Sequence, residues 1–217
     1  VTDGLYRLVA RRSSGIAQLK DLKGKKIATF PRTSAAWSLV KELQTVGLKE
    51  SDVTIVPLAP VMEIARAIID REVDAIAIWE PASQEAVDVL GKDAIEFRTP
   101  GLYRELFNLN TTAAKLADPV KRRQIVEFSR KVISCSEQIK KDPELVWPLM
   151  AKASGYSLDL IRRAWPHHNY TPSMPADMLD VLVEEDAWVA TETGRKPRTR
   201  EQLATLIDDS VWREANA

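Results

Sequence analysis

Short apolar runs alternate with longer stretches of helical periodicity along the first hundred residues. Between residues 61 and 71, for example, apolar side chains fall at positions 61, 64, 65, 68 and 69, which is the period of a helix that buries one face. The flanking runs have the length and the β-branched content of strands. This alternation predicts an α/β fold whose mainly parallel sheet has helices on both faces.

The predicted strands lie at 5–10, 27–30, 53–58, 75–79 and 94–97. The predicted helices lie at 16–22, 35–46, 61–71 and 81–90. Gly47 ends the second of these helices at a position that favours glycine, and Pro81 stands in the first turn of the last, where proline is tolerated. One further extended stretch is expected over 105–115.

From Pro119 onward the pattern predicts helices only. An apolar stripe on one long helix is formed by Ile125, Phe128, Val132, Cys135 and Ile139, which recur every three or four positions. Further helices are predicted at 143–153, 157–165, 175–192 and 199–208. We therefore expect an α/β lobe over 1–118 and an all-helical C-terminal region over 119–217.

Composition narrows the classes of function. The 31 lysines and arginines balance the 31 aspartates and glutamates, so the chain has no basic excess with which to neutralise nucleic-acid phosphates or a charged membrane surface. The single cysteine, Cys135, excludes an intramolecular disulfide and a cysteine-based zinc cluster. No apolar run approaches the ~20 residues of a membrane-spanning helix, and the start Val1–Gly4 has no signal-peptide features.

Candidate chemistry lies where the predicted strands end, because ligands of open α/β sheets bind beyond the carboxyl ends of the strands. The strand at 27–30 is followed by Arg32, Thr33, Ser34 and Ala35, and then by a helix. Free backbone N–H groups at such a helix start favour a small anion, and Arg32 can add a charge-assisted hydrogen bond. The alternative is that Thr33 or Ser34 only caps the helix.

Trp79 closes the strand at 75–79, Glu80 follows it at the mouth of the site, and Asn108 lies on the later extended stretch. An aromatic side chain at a strand end can form the wall of a pocket. Glu80 can hold a ligand ammonium group, and Asn108 can offer its amide. The alternatives are that Trp79 is a half-buried core residue and that Glu80 caps the helix at Pro81.

The sequence offers little for catalysis or metal binding. His167 and His168 have no acidic residue or cysteine at ligand spacing beside them, and a surface or loop pair is the simpler interpretation. Cys135 stands on an apolar stripe, where a thiol is usually buried, and no basic neighbour is available to activate it. We therefore expect no catalytic residue, no metal site and no cofactor.

Several strings of residues resemble one family. They are Ser14-Gly15-Ile16, Leu19–Ile27, Pro31–Ala36, Leu58-Ala59-Pro60, Val73-Asp74-Ala75 and Trp79-Glu80-Pro81. Together they resemble the substrate-binding proteins of ABC importers for sulfonate, nitrate and taurine, a family that also includes binders of thiamine precursors. The resemblance covers nearly the whole chain, and Trp79-Glu80-Pro81 is the string that points to this branch.

The resemblance implies a lobe of the type II periplasmic-binding fold, followed by a helical tail. It implies a protein without enzymatic activity, in the periplasm or at the cell surface, that binds a small anionic or zwitterionic solute and delivers it to an ABC permease. Family members begin with first-lobe elements that carry the early half of the ligand site. The resemblance implies that these elements have no counterpart in the 217 residues.

Two other functions stay open on the sequence alone. Some proteins of this fold are enzymes, notably desulfinases and a thiamine-pyrimidine synthase, and a sensing module without transport is the second alternative. The predicted helix at 175–192 carries the apolar residues Met178, Leu179, Leu182, Val183 and Trp188, and such a face needs a cover. We expect a homodimer joined through the C-terminal helices to supply it.

Overall fold

The apolar runs of the sequence form strands close to their predicted positions. The computed structural model describes residues 2–217, so the start of the N-terminal string, Val1, lies outside the described residues. In chain order the strands are β1 (Thr2–Asp3), β2 (Tyr6–Arg11), β3 (Lys26–Thr29), β4 (Thr54–Pro57), β5 (Ala75–Trp79), β6 (Ala94–Phe97) and β7 (Arg104–Glu105).

Five of these strands form one mixed sheet in the order β4-β3-β5-β2-β6, while β1 and β7 pair as a separate antiparallel ribbon. β3 is parallel to both β4 and β5. β2 is antiparallel to both β5 and β6, so it alone runs against the other strands of the sheet. The α/β prediction is confirmed. The sequence did not predict the reversed direction of β2, because the pattern of an apolar run is the same whichever way the strand runs in the sheet.

Three helices cover the sheet: α1 (Ser34–Thr45), α2 (Val61–Ile69) and α3 (Ala82–Leu90). Successive residues of β5 point to opposite faces, as a strand requires. Ile76 and Ile78 pack in one core cluster with Ile64 and Ile68 of α2. Ala75 and Ala77 pack in the other cluster, where Leu39 and Leu43 of α1 lie. Helices therefore bury both faces of the sheet, as predicted.

Two expectations for the first part of the chain are wrong. The helix predicted at 16–22 is reduced to a 3₁₀ helix over Leu19–Leu22. The Asp21 carboxylate accepts hydrogen bonds from the backbone N–H groups of Ala17 and Gln18, and such local bonds compete with helix formation. The extended stretch predicted over 105–115 ends early, because only Arg104–Glu105 is a strand and a helix begins at Ala113.

The remaining helices are α4 (Ala113–Ala117), α5 (Pro119–Lys141), α6 (Trp147–Ser154), α7 (Leu158–Ala164), α8 (Met178–Thr193), α9 (Arg200–Ala204) and α10 (Ser210–Ala215). Side chains define several of their starts. Asp118 accepts from the N–H groups of Val120 and Lys121 at the start of α5, and Ser157 accepts from Leu160 at the start of α7. The helical character predicted beyond Pro119 is confirmed, with α10 as an addition.

The chain divides into two compact units. The sheet unit comprises Thr2–Glu105 and Trp147–Asn169, and the helical unit comprises Leu106–Val146 and Tyr170–Ala217. Helices α6 and α7 thus belong with the sheet, although the sequence separates them from it. The domain boundary expected at residue 118 stays a prediction.

The apolar stripe predicted on α5 is covered only in part, since Ile125, Val132 and Ile139 are half-buried and the other two residues are exposed. Phe128 is 57% exposed and Cys135 is exposed, whereas Val126, beside the predicted stripe, is buried. Periodicity identifies an apolar face but does not show what covers it. Within the helical unit, α10 packs on α5 and Arg122 binds Glu214 at 2.7 Å.

Asp186 of α8 forms hydrogen bonds with the segment that follows that helix. Its carboxylate accepts hydrogen bonds from the guanidinium groups of Arg195 and Arg198 and from the backbone N–H of Arg198, at 2.5 to 3.1 Å. These bonds lower the pKa of Asp186 well below its usual range, with Arg195 as the largest cause. The cluster fixes the direction in which the chain leaves α8.

Candidate functional site

One edge of the sheet collects the strand ends that the sequence singled out. β3, β4 and β5 are parallel neighbours, so their carboxyl ends lie at the same edge. The start of β2 lies there too, because β2 is antiparallel and Tyr6 pairs with Trp79. We call this the strand-end edge. It is where ligands bind in open α/β sheets.

The loop after β3 brings four of the predicted residues to this edge. Thr33 is the N-cap of α1: its Oγ1 accepts from the Ala35 N–H at 3.3 Å and donates to the Phe30 carbonyl at 2.7 Å. Arg32 is exposed and takes a left-handed backbone conformation, with φ of 56°. Ala35 is buried and begins the helix core. The capping alternative is confirmed for Thr33, and ligand contact by this loop stays a prediction.

Ser34 is part of a hydrogen-bonded network that sequence reasoning missed. The Tyr6 hydroxyl lies 2.6 Å from Ser34 Oγ and 2.5 Å from Glu105 Oε2, and the Tyr103 hydroxyl donates to the same Glu105 oxygen at 2.9 Å. A phenol has one hydrogen, and a carboxylate only accepts. Tyr6 therefore donates to Glu105, and Ser34 donates to Tyr6.

Aromatic rings surround this network. Trp79 packs edge-on against Tyr6, with ring centroids 6.3 Å apart, and against Phe30 at 6.0 Å. Tyr103 lies 5.4 Å from Tyr6. All four rings are half-buried, so each contributes both to packing and to the surface of the strand-end edge. The strand-end aromatic predicted at Trp79 is thus one member of a larger cluster.

Glu80 lies beneath the edge rather than on it. Its side chain is buried and forms an ion pair with Arg7, which is also buried. Glu80 Oε2 accepts from the backbone N–H of Gln84 at 3.2 Å, close to the start of α3. Burial raises the pKa of Glu80, and the Arg7 guanidinium opposes that rise. The hydrogen bond expected if Glu80 caps α3 is therefore present, while contact of Glu80 with a ligand amine stays a prediction.

The histidine pair lies in the sheet unit and is half-buried. The His167 ring contacts the guanidinium group of Arg98 in the same unit, with Arg98 Nη1 3.0 Å from His167 Nδ1. Burial, with the Arg98 and Arg7 charges, lowers the pKa of His167 to about 4. His168 contacts the Ala164 carbonyl through Nδ1 and stacks on Trp165. In residues 2–217 no group of histidine, cysteine, aspartate and glutamate side chains is placed to hold a metal ion.

A pocket of about 300 Å³ lies between α3's start and the helices α6 and α7. Its lining is mostly apolar and comprises Pro81, Met150, Ala153, Ser154, Tyr156, Ile161, Ala164, Trp165 and His168. The residues predicted for the ligand site are not among them. Asn108, the last of those residues, is exposed in the helical unit, and its role stays a prediction.

The fold is shared with solved binding proteins. The periplasmic aliphatic sulphonate binding protein SsuA of Escherichia coli superposes with a TM-score of 0.69 at 19% identity, covering 98% of this chain and 72% of that one. The desulfurization enzyme DSZB superposes with a TM-score of 0.58 at 14% identity, covering 99% of this chain and 77% of the enzyme. Likeness at these identities establishes the periplasmic-binding fold and leaves the activity open.

Sequence comparison establishes the family. The profile of the NMT1/THI5-like family matches residues 1–158, and the chain belongs to that family. A candidate aliphatic sulfonates-binding protein of Bacillus subtilis (strain 168) is 34% identical over 147 residues, which is 66% of this chain and 44% of that protein. The chain thus spans about half the length of the curated relatives that it matches. In the described part of the chain, no helix combines the length and apolarity needed to cross a bilayer.

Proposed function

We propose that the chain is the solute-binding part of an ABC-type importer. The solute is a small anion such as an alkyl sulfonate, taurine or nitrate, which the protein hands to a membrane permease from the periplasm or the cell surface. The observation that carries this proposal is the strand-end edge, where the loop after β3 leads into α1 beside a cluster of half-buried aromatic rings. Relatives named for sulfonate binding support it.

The chemistry of the α1 start fits an anion. The first backbone N–H groups of a helix have no partner within it, and the helix dipole adds a partial positive charge at the same place. The Thr33 side chain satisfies the N–H of Ala35, which leaves the neighbouring N–H groups for a ligand. Arg32, exposed on the same loop, adds a cation, and Trp79 and Phe30 supply apolar surface for an alkyl chain.

A single substitution tests the site. Titration calorimetry of the 217-residue chain with methanesulfonate, ethanesulfonate, taurine, sulfate and nitrate is expected to show saturable binding of at least one of them. Ser34→Asp places a carboxylate at the α1 start and is expected to abolish that binding by repulsion. Ser51→Asp, which changes an exposed serine between α1 and β4, is the matched control and is expected to bind as the unaltered chain does.

Equal binding by the unaltered chain and by Ser34→Asp would refute the site, provided that circular dichroism shows both to be folded. The enzymatic alternative predicts turnover of an aryl sulfinate or a pyrimidine precursor by the same sample. The homodimer expected from the C-terminal helices stays a prediction, which light scattering at micromolar concentration decides.

A further inference from the structure

Glu105 is a half-buried carboxylate that forms no ion pair with any of the described residues. Its Oε2 atom accepts from the hydroxyl groups of Tyr6 and Tyr103. Among the described residues these phenols are its hydrogen-bond partners, and no lysine or arginine forms an ion pair with it. Within residues 2–217 the other oxygen, Oε1, accepts no hydrogen bond. Since desolvated carboxylates are stable when paired, this group favours a positively charged ligand atom.

The rings around Glu105 strengthen that preference. The centroid of the Tyr6 ring lies 5.4 Å from that of Tyr103 and 6.3 Å from that of Trp79. Rings at this edge displace water, and charges attract each other more strongly where water is excluded. The faces of tyrosine and tryptophan also attract cations directly. A carboxylate held by phenols beside indole is therefore suited to an ammonium group.

An anionic solute without an ammonium group is repelled by Glu105. Ser34 Oγ and Glu105 Oε2 both lie within 2.6 Å of the Tyr6 hydroxyl oxygen, so the two atoms are no more than about 5 Å apart by geometry alone. An anion at the start of α1 thus has the Glu105 carboxylate as a near neighbour, and like charges at that distance repel. A solute that carries its own ammonium group converts this repulsion into attraction.

We propose that Glu105, together with Tyr6, Tyr103 and Trp79, binds the ammonium group of a zwitterionic solute. The inference rests on the proposed function, because the acidic end of the same solute lies at the start of α1. The separation between the two positions suits a short aliphatic linker. The substrate class is therefore aminoalkyl sulfonates and similar short amino acids, rather than nitrate or simple alkyl sulfonates.

Three ligands of equal chain length test the proposal on the unaltered protein. Titration calorimetry at pH 7 and constant ionic strength compares taurine with isethionate, in which a hydroxyl replaces the amine, and with ethanesulfonate, which has neither. We expect taurine to bind about tenfold more tightly or better, the size of a charge-assisted hydrogen bond. This comparison needs no variant, so it stands whether or not a substituted chain folds.

The variant Glu105→Gln then assigns the preference to its residue. It is expected to weaken taurine about tenfold or more while leaving ethanesulfonate unchanged or slightly tighter. Glu72→Gln is the matched control, since Glu72 is exposed and follows α2, and it is expected to keep the preference for taurine.

The outcomes separate the two proposals. Equal binding of the three ligands by the unaltered chain overturns the zwitterion inference and leaves a plain sulfonate-binding function standing. Retention of the taurine preference by Glu105→Gln also overturns the inference, because the ammonium group then has another partner. Binding of none of the three overturns the inference, and failure of nitrate and sulfate as well overturns the proposed function with it.

Discussion

The ion pair between Arg7 and Glu80 is the polar interaction whose loss we expect to weaken the sheet most. Arg7 is 2% exposed and Glu80 is 3% exposed. Arg7 also donates to Glu96 at 2.7 Å and to Gln84 at 2.9 Å, so one guanidinium serves three acceptors. Arg7→Met keeps the bulk of the side chain and removes every one of these bonds. The perturbation leaves Glu80 buried without its cation.

The expected loss of stability follows from the Glu80 carboxylate, which Arg7→Met leaves buried without a cation. Breaking a buried pair by removing one partner lowers the free energy of unfolding by about 3–5 kcal/mol. The double variant Arg7→Met/Glu80→Met is expected to recover most of this loss, because it removes the second charge as well. Arg66→Met, a change to an exposed arginine of α2, is the control and is expected to cost less than about 0.5 kcal/mol.

The loss is expected to depend on pH in one direction. Burial already raises the pKa of Glu80, and Arg7 opposes the rise, so Arg7→Met raises that pKa further. A carboxyl whose pKa is higher in the folded state keeps a proton that the unfolded chain releases. Its contribution to stability is therefore present below the unfolded pKa of about 4.3 and is lost as the pH rises above it. Arg7→Met is expected to be closer to the unaltered chain at pH 5 than at pH 8.

Urea unfolding at both pH values gives the free energies, and hydrogen exchange of the β2 and β5 amides shows whether the sheet itself opens more often. A loss below about 1 kcal/mol, which is the value of an exposed pair, would refute the reasoning. So would a loss that is the same at pH 5 and pH 8, because the stranded carboxyl would then not be titrating.

Two further predictions concern the helical unit. Asp186→Asn is expected to destabilise the segment 195–217 by about 1–3 kcal/mol, which would appear as faster hydrogen exchange there. Because the pKa of Asp186 is lowered in the folded chain, the unaltered chain should lose this stabilisation as the pH falls below about 4. A stability of this segment that does not change with pH in that range would count against the prediction. Cys135 is exposed, so its thiol should react with an aromatic disulfide reagent as fast in the folded chain as in urea, and protection in the folded chain would contradict the exposure.

Local sequence pattern predicted the elements of the sheet and not their arrangement. The helix at 61–71 and the strand at 75–79 were found because buried faces impose a period on the residues of one element. The reversed direction of β2 was missed, since an apolar run is the same read either way. The exposure of Phe128 was missed for a related reason: a stripe marks a face and says nothing about its cover.

The same limit applies to the candidate site. Thr33 as a helix cap was predictable, because a cap and its helix are neighbours in sequence. The contact between Tyr6 and Glu105 joins residues 99 positions apart, and no spacing rule reaches that far. Glu80 was expected at the mouth of the site because it follows a strand, and its burial beside Arg7 depends on which strand lies next to β5.

The β1–β7 ribbon has a consequence for how this protein can be altered. Thr2 is paired with Glu105, so the segment 2–105 leaves and returns to nearly the same point in space. Segments with adjacent ends tolerate transplantation and circular permutation, because replacing them does not change the distance that the flanking chain must span. Residues 2–105 thus form an exchangeable cassette, to which the helices α6 and α7 of the same unit must be matched. The α1 cap, the aromatic rings and the Glu105 carboxylate would be inherited together whenever such a cassette was exchanged.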